Sequence, residues 1–479
     1  MAETFDMLIR GGRVVTPQGV VQSDLGLRDG RIAAMDAAGT AARVIDADGR
    51  YVMPGGVDPH AHIEQMSGMG VMNADTFETA TRSAAMGGAT SVISFAAQAK
   101  GERLTDTVSA YAARAAQGAM IDHAFHITVT DMAAPAVLTD LAALIGQGHR
   151  SIKVFTTYNI QLPDREILEI MAAARAAGGL VCVHAENDGL IGWTRDRLVA
   201  QGMTAPPFHA VSHPRMAEIE AVERMCRFAE FLGQPVMLFH ISTAEGVAAV
   251  RAAKARGVPV WAETCPHYLF QTAEVLAAPG LEGAKWMCSP PQRTEADQAA
   301  LWDGLADGTL ALVSSDHAPY RMDASGKLSA GPEAGFHQIA NGLPGLETRL
   351  PLLYDAMMGP DGAGPEAFAR VTSAAAAELY GLSRKGRIAE GMDADLVIWD
   401  ETPLTYGPDD LHDNVGYNPW EGRTVRARPG TVILRGQVIV EDGLFRGDPG
   451  AGQGLDRPAL GDTPATNPAP EAALVLGVV

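Results

Sequence analysis

Short apolar runs alternate with amphipathic stretches through the middle of this 479-residue chain. Eight of the runs have the length and the flanking sequence of buried strands. Between them lie stretches such as 164–179, in which Ile167 and Ile170 share one helical face, Asp164 can cap the start and Gly178 can end the helix. This βα rhythm predicts a (β/α)8 barrel. The predicted strands lie at 55–63, 90–95, 123–129, 151–155, 180–186, 235–242, 259–264 and 310–315.

Both ends of the chain carry a different pattern, in which short alternating runs are separated by turns. Asp29-Gly30 and Asp48-Gly49 are typical hairpin turns. The segments 1–54 and 381–447 are therefore expected to pair into one small β domain beside the 55–380 barrel. Residues 448–479 are rich in Gly, Pro and Ala, which is typical of an arm or of a disordered tail.

The composition of the chain argues against several classes of partner and of cellular location. The net charge of -20 argues against a nucleic-acid partner and against an anionic membrane surface. The four cysteines lack CxxC spacing and are expected to be reduced. The segment "MAETFDMLIRGG" does not resemble a signal peptide, and no apolar stretch reaches membrane-spanning length. We expect a soluble, cytoplasmic protein. The cysteines are Cys182, Cys226, Cys265 and Cys288.

Candidate metal ligands lie at the carboxyl ends of the predicted strands, where barrels of this kind place their active sites. Imidazoles and carboxylates converging on one face form a suitable ligand set for a divalent metal such as zinc. An HxH motif alone is weak evidence, but five strand ends contribute here. The residues are His60 and His62 on the first strand, Lys153 on the fourth, His184 on the fifth, His240 on the sixth and Asp316 after the eighth.

Several of these residues have simpler interpretations. His123, His126 and His267 are expected to be ordinary core histidines, and Asp316 alone could cap a helix. Lys153 is difficult, because an ammonium group cannot bind a metal and would be repelled by one. It could pair with a buried acid, form a Schiff base, or react with carbon dioxide to give an anionic carbamate with two ligand oxygens. The residues alone leave these alternatives open.

The motifs "DPHAH", "SIKVFTTYN", "VHAEN", "FHIS", "ETCPHYL", "CSPPQR", "SSDHAPY" and "IANGLPGLETRLPLLY" follow one another in the chain. Together they resemble the cyclic amidohydrolases, and most closely their dihydropyrimidinase and hydantoinase branch. The resemblance runs from about residue 5 to about residue 445. It implies a distorted (β/α)8 (TIM) barrel with a small β-sandwich built from both chain ends.

The resemblance also implies a binuclear centre, usually of zinc. Lys153 would be an N6-carboxylysine that bridges the two ions. His60, His62 and Asp316 would hold the first ion, and His184 and His240 the second. Tyr158 would bind the substrate carbonyl, and the backbone of Ser289 and Asn341 would bind the amide edge of the ring.

The implied reaction opens dihydropyrimidines or 5-substituted hydantoins to N-carbamoyl amino acids, by a hydroxide that bridges the metals. Asp316 would carry the proton to the leaving nitrogen. Cyclic imide hydrolysis, an allantoinase-like activity and a non-catalytic scaffold are the alternatives. Dihydroorotase is less suitable, since Ile63-Glu64 provides no arginine after the HxH motif. A homotetramer is common in the family.

Two features of the first strand and its loop leave questions. Asp58 points to the same face as the histidines and could orient a ligand or form a salt bridge in the barrel floor. The loop "IEQMSGMGVMNADTF" departs from the family pattern with Glu64, Gln65 and no aromatic residue before Phe77. Its Met66, Met69 and Met72 offer either a pliable apolar surface to the ring substituent or a mobile lid.

Overall fold

The computed structural model describes residues 3–461 and 466–477. The chain begins with strands that form most of one large sheet. These first strands are β1 Glu3–Thr16, β2 Gly19–Arg28, β3 Arg31–Met35, β4 Gly39–Asp46 and β5 Tyr51–Pro54. In the hairpin between β2 and β3, Asp29 and Gly30 adopt left-handed backbone conformations with φ of 53° and 74°, as the turn requires.

Eight parallel strands follow, and each pairs with its neighbour in chain order. A bridge between Ala61 and His317 brings the first strand next to the segment after the last one. The eight strands are β6 Gly56–Ala61, β7 Ala89–Ala97, β8 Asp122–Thr128, β9 Ser151–Phe155, β10 Leu180–His184, β11 Val236–Leu238, β12 Val260–Thr264 and β13 Leu312–Val313. Each of the eight predicted runs overlaps one of these strands, although β7 and β8 begin one residue before their predicted runs.

Helices connect these strands and cover the outside of the curled sheet. The α-helices are α1 Phe77–Met86, α2 Leu104–Gly118, α3 Val137–Gly146, α4 Asp164–Ala177, α5 Asp188–Ala200, α6 Pro207–Ser212, α7 Arg215–Leu232, α8 Ala244–Ala255, α9 Pro266–Phe270, α10 Glu295–Ala306, α11 Arg349–Met357, α12 Pro365–Ala369, α13 Ala375–Tyr380 and α14 Pro470–Leu476. Short 3₁₀ turns lie at Ala273–Ala277, Glu282–Trp286 and Phe336–Gln338, and a π-helical turn at Arg370–Ala374.

The fourth helix shows one wrong detail of the sequence prediction. Gly178 ends α4 in the left-handed conformation, with φ of 74°, as expected. Asp164, however, does not cap the helix. It is the first helical residue, and its carboxylate pairs with Arg224 on α7.

Strands from the C-terminal segment complete the first sheet. The strands of this segment are β14 Leu396–Asp400, β15 Leu404–Thr405, β16 Thr424–Val425, β17 Arg428–Leu434, β18 Gln437–Glu441 and β19 Leu444–Phe445. The order of the sheet is β19-β18-β17-β14-β5-β1-β2-β3, with β4 paired to β1, so the N-terminal and C-terminal segments form one nine-stranded sheet. A separate pair, β15 and β16, lies outside it.

Beyond residue 447 the described part of the chain forms an arm on the floor of the barrel, the end opposite the ligand face. Its backbone forms hydrogen bonds near the N-terminal ends of β8, β9 and β10, with His123, Gly148 and Gly178. Further along, Ala469 bonds to Phe231 and α14 lies against α7.

Candidate metal centre and active site

The structure brings all six predicted ligands together at the carboxyl ends of the barrel strands. His60 Nε2 lies 3.1 Å and His62 Nε2 3.4 Å from the same oxygen, Oδ1 of Asp316. Ligand atoms of His60, His240 and Asp316 lie within 4.8 Å of one another. The His184 ring packs edge-on against His240, with 4.4 Å between centroids. At these distances, neighbouring side chains of the cluster could bind the same cation.

Three of the histidines contact a side-chain oxygen through one ring nitrogen, here called the outer nitrogen. His60 Nδ1 lies 2.5 Å from Glu263 Oε1, His62 Nδ1 2.7 Å from Gln65 Oε1, and His184 Nε2 2.8 Å from Glu186 Oε2. An acceptor on the outer nitrogen places the proton there and leaves the other nitrogen with a free lone pair. This arrangement is typical of histidines that bind metals.

His240 and Asp316 sit on strained backbone. Their φ angles are 42° and 46°, in the left-handed region that residues other than glycine rarely adopt. Within the described chain, the buried Nδ1 of His240 has no hydrogen-bond partner. Such an atom is costly unless something binds it. Strain and an unsatisfied imidazole at one point both fit a metal ligand.

Lys153 is buried among aromatic rings on β9. Its Nζ lies 3.9 Å from the ring centre of Phe239, 4.8 Å from that of Phe155 and 5.5 Å from that of Phe95. Burial lowers the pKa of Lys153 to about 7. Among the described residues no salt bridge holds the amine, although the buried carboxylates of Asp316 and Glu263 lie near enough to oppose the fall in its pKa.

The carboxylate of Asp316 stays ionised in this setting. Burial alone would raise its pKa, but the imidazoles of His60, His62 and His240 hold that pKa well below its usual range. Burial alone would lower the pKa of His60, but the carboxylates of Asp316 and Glu263 raise it above its ordinary value. The centre is therefore an anionic oxygen surrounded by imidazole nitrogens, a donor set that suits zinc and similar divalent ions.

A cavity of about 800 Å³ opens above the ligands, and the three predicted substrate residues line it. Tyr158 has a left-handed backbone with φ of 70°. Burial and then the Glu186 carboxylate raise its pKa well above the ordinary value, while a hydrogen bond with Ser289 opposes the rise. Asn341 Nδ2 donates to Ser289 Oγ at 3.0 Å. One wall of the cavity thus presents a phenol and two polar residues that are fixed to each other.

The structure also settles the question of Asp58. Its Oδ2 lies 3.1 Å from Nε of Arg349, and both side chains are fully buried. Its Oδ1 accepts from the backbone N–H of His60, so it holds the strand but no imidazole. The salt bridge is therefore its main role.

The core histidines lie where they were expected. His123, His126 and His267 are all buried. His126 Nε2 lies 2.7 Å from the carbonyl oxygen of Pro59, which fixes its ring.

Sequence reasoning missed the residues that orient the ligands. Glu263 is the next-to-last residue of β12, and Glu186 lies two residues after His184, where its carboxylate also contacts His213 Nδ1 at 2.9 Å. Both glutamates were visible in the quoted motifs. Gln65 stood in the loop that departs from the family pattern.

The loop after His62 covers one side of the cavity mouth. Met66, Met69 and Met72 line the cavity and are about half exposed. Asn159 Nδ2 donates to the carbonyl oxygen of Gly68 at 2.7 Å, which ties the loop to the turn that carries Tyr158. The loop presents a flexible apolar edge beside the ligands.

Comparisons with known proteins agree with this geometry. Residues 51–439 match the amidohydrolase family. The D-hydantoinases of Ralstonia pickettii and Rhizobium radiobacter are each 39% identical to this chain, over 95% and 94% of its length and 99% and 98% of theirs. A solved D-hydantoinase structure matches with a TM-score of 0.92 at 38% identity, over 95% of this chain and 100% of that one. The dihydropyrimidinase of Brevibacillus agri matches with a TM-score of 0.90 at 34% identity, over 95% and 99%.

The fold and the ligand cluster define a metal-dependent amidohydrolase, and the chain belongs to the amidohydrolase family. Within it the chain is a member of the hydantoinase and dihydropyrimidinase branch. The predicted family and the predicted class of enzyme, a hydrolase of cyclic amides, are confirmed. Membership implies a binuclear divalent metal centre. None of the described helices is both long and apolar enough to cross a membrane.

Proposed function

We propose that this chain opens the amide bond of dihydropyrimidines or 5-substituted hydantoins to give N-carbamoyl amino acids. One observation carries the proposal. Three imidazoles, each held by an acceptor on its outer nitrogen, present their inner nitrogens at the floor of a cavity beside an ionised aspartate. The cavity is large enough for a ring with a sizeable substituent.

Two divalent cations, most suitably Zn²⁺, complete the proposed site. His60, His62 and Asp316 hold the first ion, and His184 and His240 the second. Lys153, carbamylated by carbon dioxide, holds both. Two observations on the described residues support this assignment. His240 Nδ1 has no hydrogen-bond partner there, and the buried Lys153 amine forms no salt bridge with them. When bound, the cations polarise the ring carbonyl and make a water molecule acidic enough to lose a proton near neutral pH.

The residues of the chain supply the remaining chemistry. Tyr158 donates a hydrogen bond to the ring carbonyl and stabilises the negative charge that develops on its oxygen. Asp316 removes a proton from the attacking water, whose oxygen bonds to the carbonyl carbon. As the carbon–nitrogen bond breaks, Asp316 returns that proton to the ring nitrogen, which would otherwise be a poor leaving group.

The second wall of the cavity fixes the substrate. Backbone groups at Ser289 and Asn341 bind the amide edge of the ring, and the bond between the two side chains supports this role, because it keeps the two segments together. We also infer from the resemblance that the nine-stranded sheet forms a β-sandwich, and that the enzyme is a cytoplasmic homotetramer.

The test is ring opening by the full-length protein in bicarbonate buffer with zinc, followed by ultraviolet absorbance. The substrates are dihydrouracil, hydantoin, 5-phenylhydantoin, phthalimide and allantoin. We expect turnover of dihydrouracil or the hydantoins by the wild type and by Lys254→Ala, a control at the far end of α8. Lys153→Ala should be inactive.

The panel also separates the rival activities. Turnover of phthalimide alone would assign the enzyme to cyclic imides, and turnover of allantoin alone to an allantoinase-like reaction. Full activity of Lys153→Ala would contradict the proposed site whatever the substrate.

A further inference from the structure

The three supported histidines do not receive the same kind of support. Glu263 and Glu186 are fully buried and offer carboxylates to His60 and His184 from the ends of barrel strands. His62 instead receives a neutral amide oxygen from Gln65, in the loop that covers the cavity. Its side chain is 17% exposed, against 1% for His60. Of these three histidines, His62 is therefore the one least restrained by the barrel.

The Gln65 amide decides which nitrogen of His62 carries the proton. Because Oε1 only accepts, Nδ1 of His62 must donate, and Nε2 keeps its lone pair facing Asp316. The opposite tautomer would point an N–H at the position where the first cation is proposed. Gln65 thus selects the form of His62 that can bind a metal.

The base of the loop holds Gln65 in place. Asn73 Oδ1 accepts from the Gln65 N–H at 3.2 Å, and the Asn73 N–H donates to the Gln65 carbonyl at 3.1 Å. The Asn73 side chain also donates to the carbonyl oxygen of His62. A bridge between Met66 and Met72 closes the loop above. The position of Gln65 therefore depends on the fold of the loop.

We propose that Gln65 is a positioning residue that holds His62 for the first metal ion, so that retention of this ion depends on the loop over the cavity. The inference rests on the proposed function, since it assumes that His62 binds a metal. It assigns a role to a residue at which this chain departs from the common pattern. It concerns one of the two ions, because the second is held by His184 and His240.

The test compares zinc release from the wild type, Gln65→Leu, Gln65→Glu and the control Gln201→Leu, which changes an exposed glutamine at the end of α5. Each zinc-loaded protein is mixed with a chromogenic chelator, and the number of ions released and the rate of each phase are recorded. We expect one of the two ions to leave Gln65→Leu at least about tenfold faster, the usual effect of losing a ligand's outer partner. The slower phase should be unchanged. Gln65→Glu keeps the acceptor oxygen and should hold both ions.

The outcomes separate this inference from the function on which it rests. Identical biphasic release from the wild type and Gln65→Leu would overturn the role of Gln65 and leave the enzyme function intact. A wild-type protein that takes up no zinc would contradict the metal centre itself. Faster release from Gln65→Glu than from the wild type would also overturn the inference, because that variant retains the acceptor oxygen. This comparison remains valid even if Gln65→Leu folds poorly.

Discussion

At the scale of single residues, the site depends on side chains held in one orientation before any substrate arrives. Tyr158 shows this most clearly. Its backbone is left-handed, and its side chain lines the cavity together with Ser289 and Asn341. A donor fixed in advance stabilises developing charge without reorganising at the moment of reaction.

Replacing that phenol should therefore affect the chemical step. We expect Tyr158→Phe to lower kcat by about 10² to 10³ while the protein keeps two metals, as for the loss of one oxyanion donor. Tyr51→Phe, in the β domain, should leave kcat unchanged. Steady-state kinetics with metal analysis check this, and a Tyr158→Phe enzyme with normal kcat would remove Tyr158 from the mechanism.

At the scale of elements, one buried carboxylate joins three of the outer helices. Asp297 lies in the first turn of α10, where it forms a capping box with Thr294. Its oxygens accept two bonds of 2.7 Å from Arg215 on α7 and one of 2.9 Å from the N–H of Ala244, at the start of α8. Burial alone would raise the pKa of Asp297, but the Arg215 and Thr294 bonds hold it well below its usual range.

The lowered pKa gives a stability prediction with a definite sign. Because Asp297 is ionised more readily in the folded chain, its contribution is complete above the pKa of an unfolded aspartate, near pH 4, and declines as the pH falls below it. Asp297→Asn should cost about 1 to 3 kcal/mol of the free energy of unfolding at pH 7 and less at pH 3. Denaturant unfolding at both pH values measures this, with the exposed Asp303→Asn as control. A cost that does not change with pH would contradict the ionic role.

At the scale of the whole molecule, the arm after residue 447 stabilises the barrel. Arg457 is fully buried, and its guanidinium donates to Ser151 Oγ at 2.7 Å and to the carbonyl oxygen of Phe125. The arm therefore places the Arg457 side chain against both β8 and β9. Such a contact cannot be lost without leaving buried polar groups unpaired.

Removing that side chain should destabilise the fold and leave the chemistry intact. We expect Arg457→Ala to lower the free energy of unfolding by about 2 to 4 kcal/mol, since it creates a cavity and leaves an acceptor unsatisfied. Arg446→Ala, at an exposed position just before the arm, is the matched control. Thermal unfolding at constant zinc concentration is the measurement, and equal stability of the two variants would contradict a structural role for the arm.

The sequence predicts the strands, and it predicts that the six candidate ligand residues lie on one face, because both follow local rules. Period and flanking residues mark the strands, and the barrel places strand ends on one face. The partners of the ligands follow no such rule. Glu263 reaches His60 across the barrel, and Gln65 reaches His62 only because Asn73 closes the loop. The arm was undecided for the same reason, since its backbone bonds are with strand entries more than 200 residues away.

A zinc titration of metal-free protein in bicarbonate buffer tests the proposed binuclear enzyme. Bound zinc per chain and ring opening of 5-phenylhydantoin and dihydrouracil are measured on the same samples. We expect activity to be absent without metal, to rise with bound zinc and to reach its maximum at two ions per chain. Ring opening by the metal-free protein, or two bound ions with neither ring opened, would contradict the proposal.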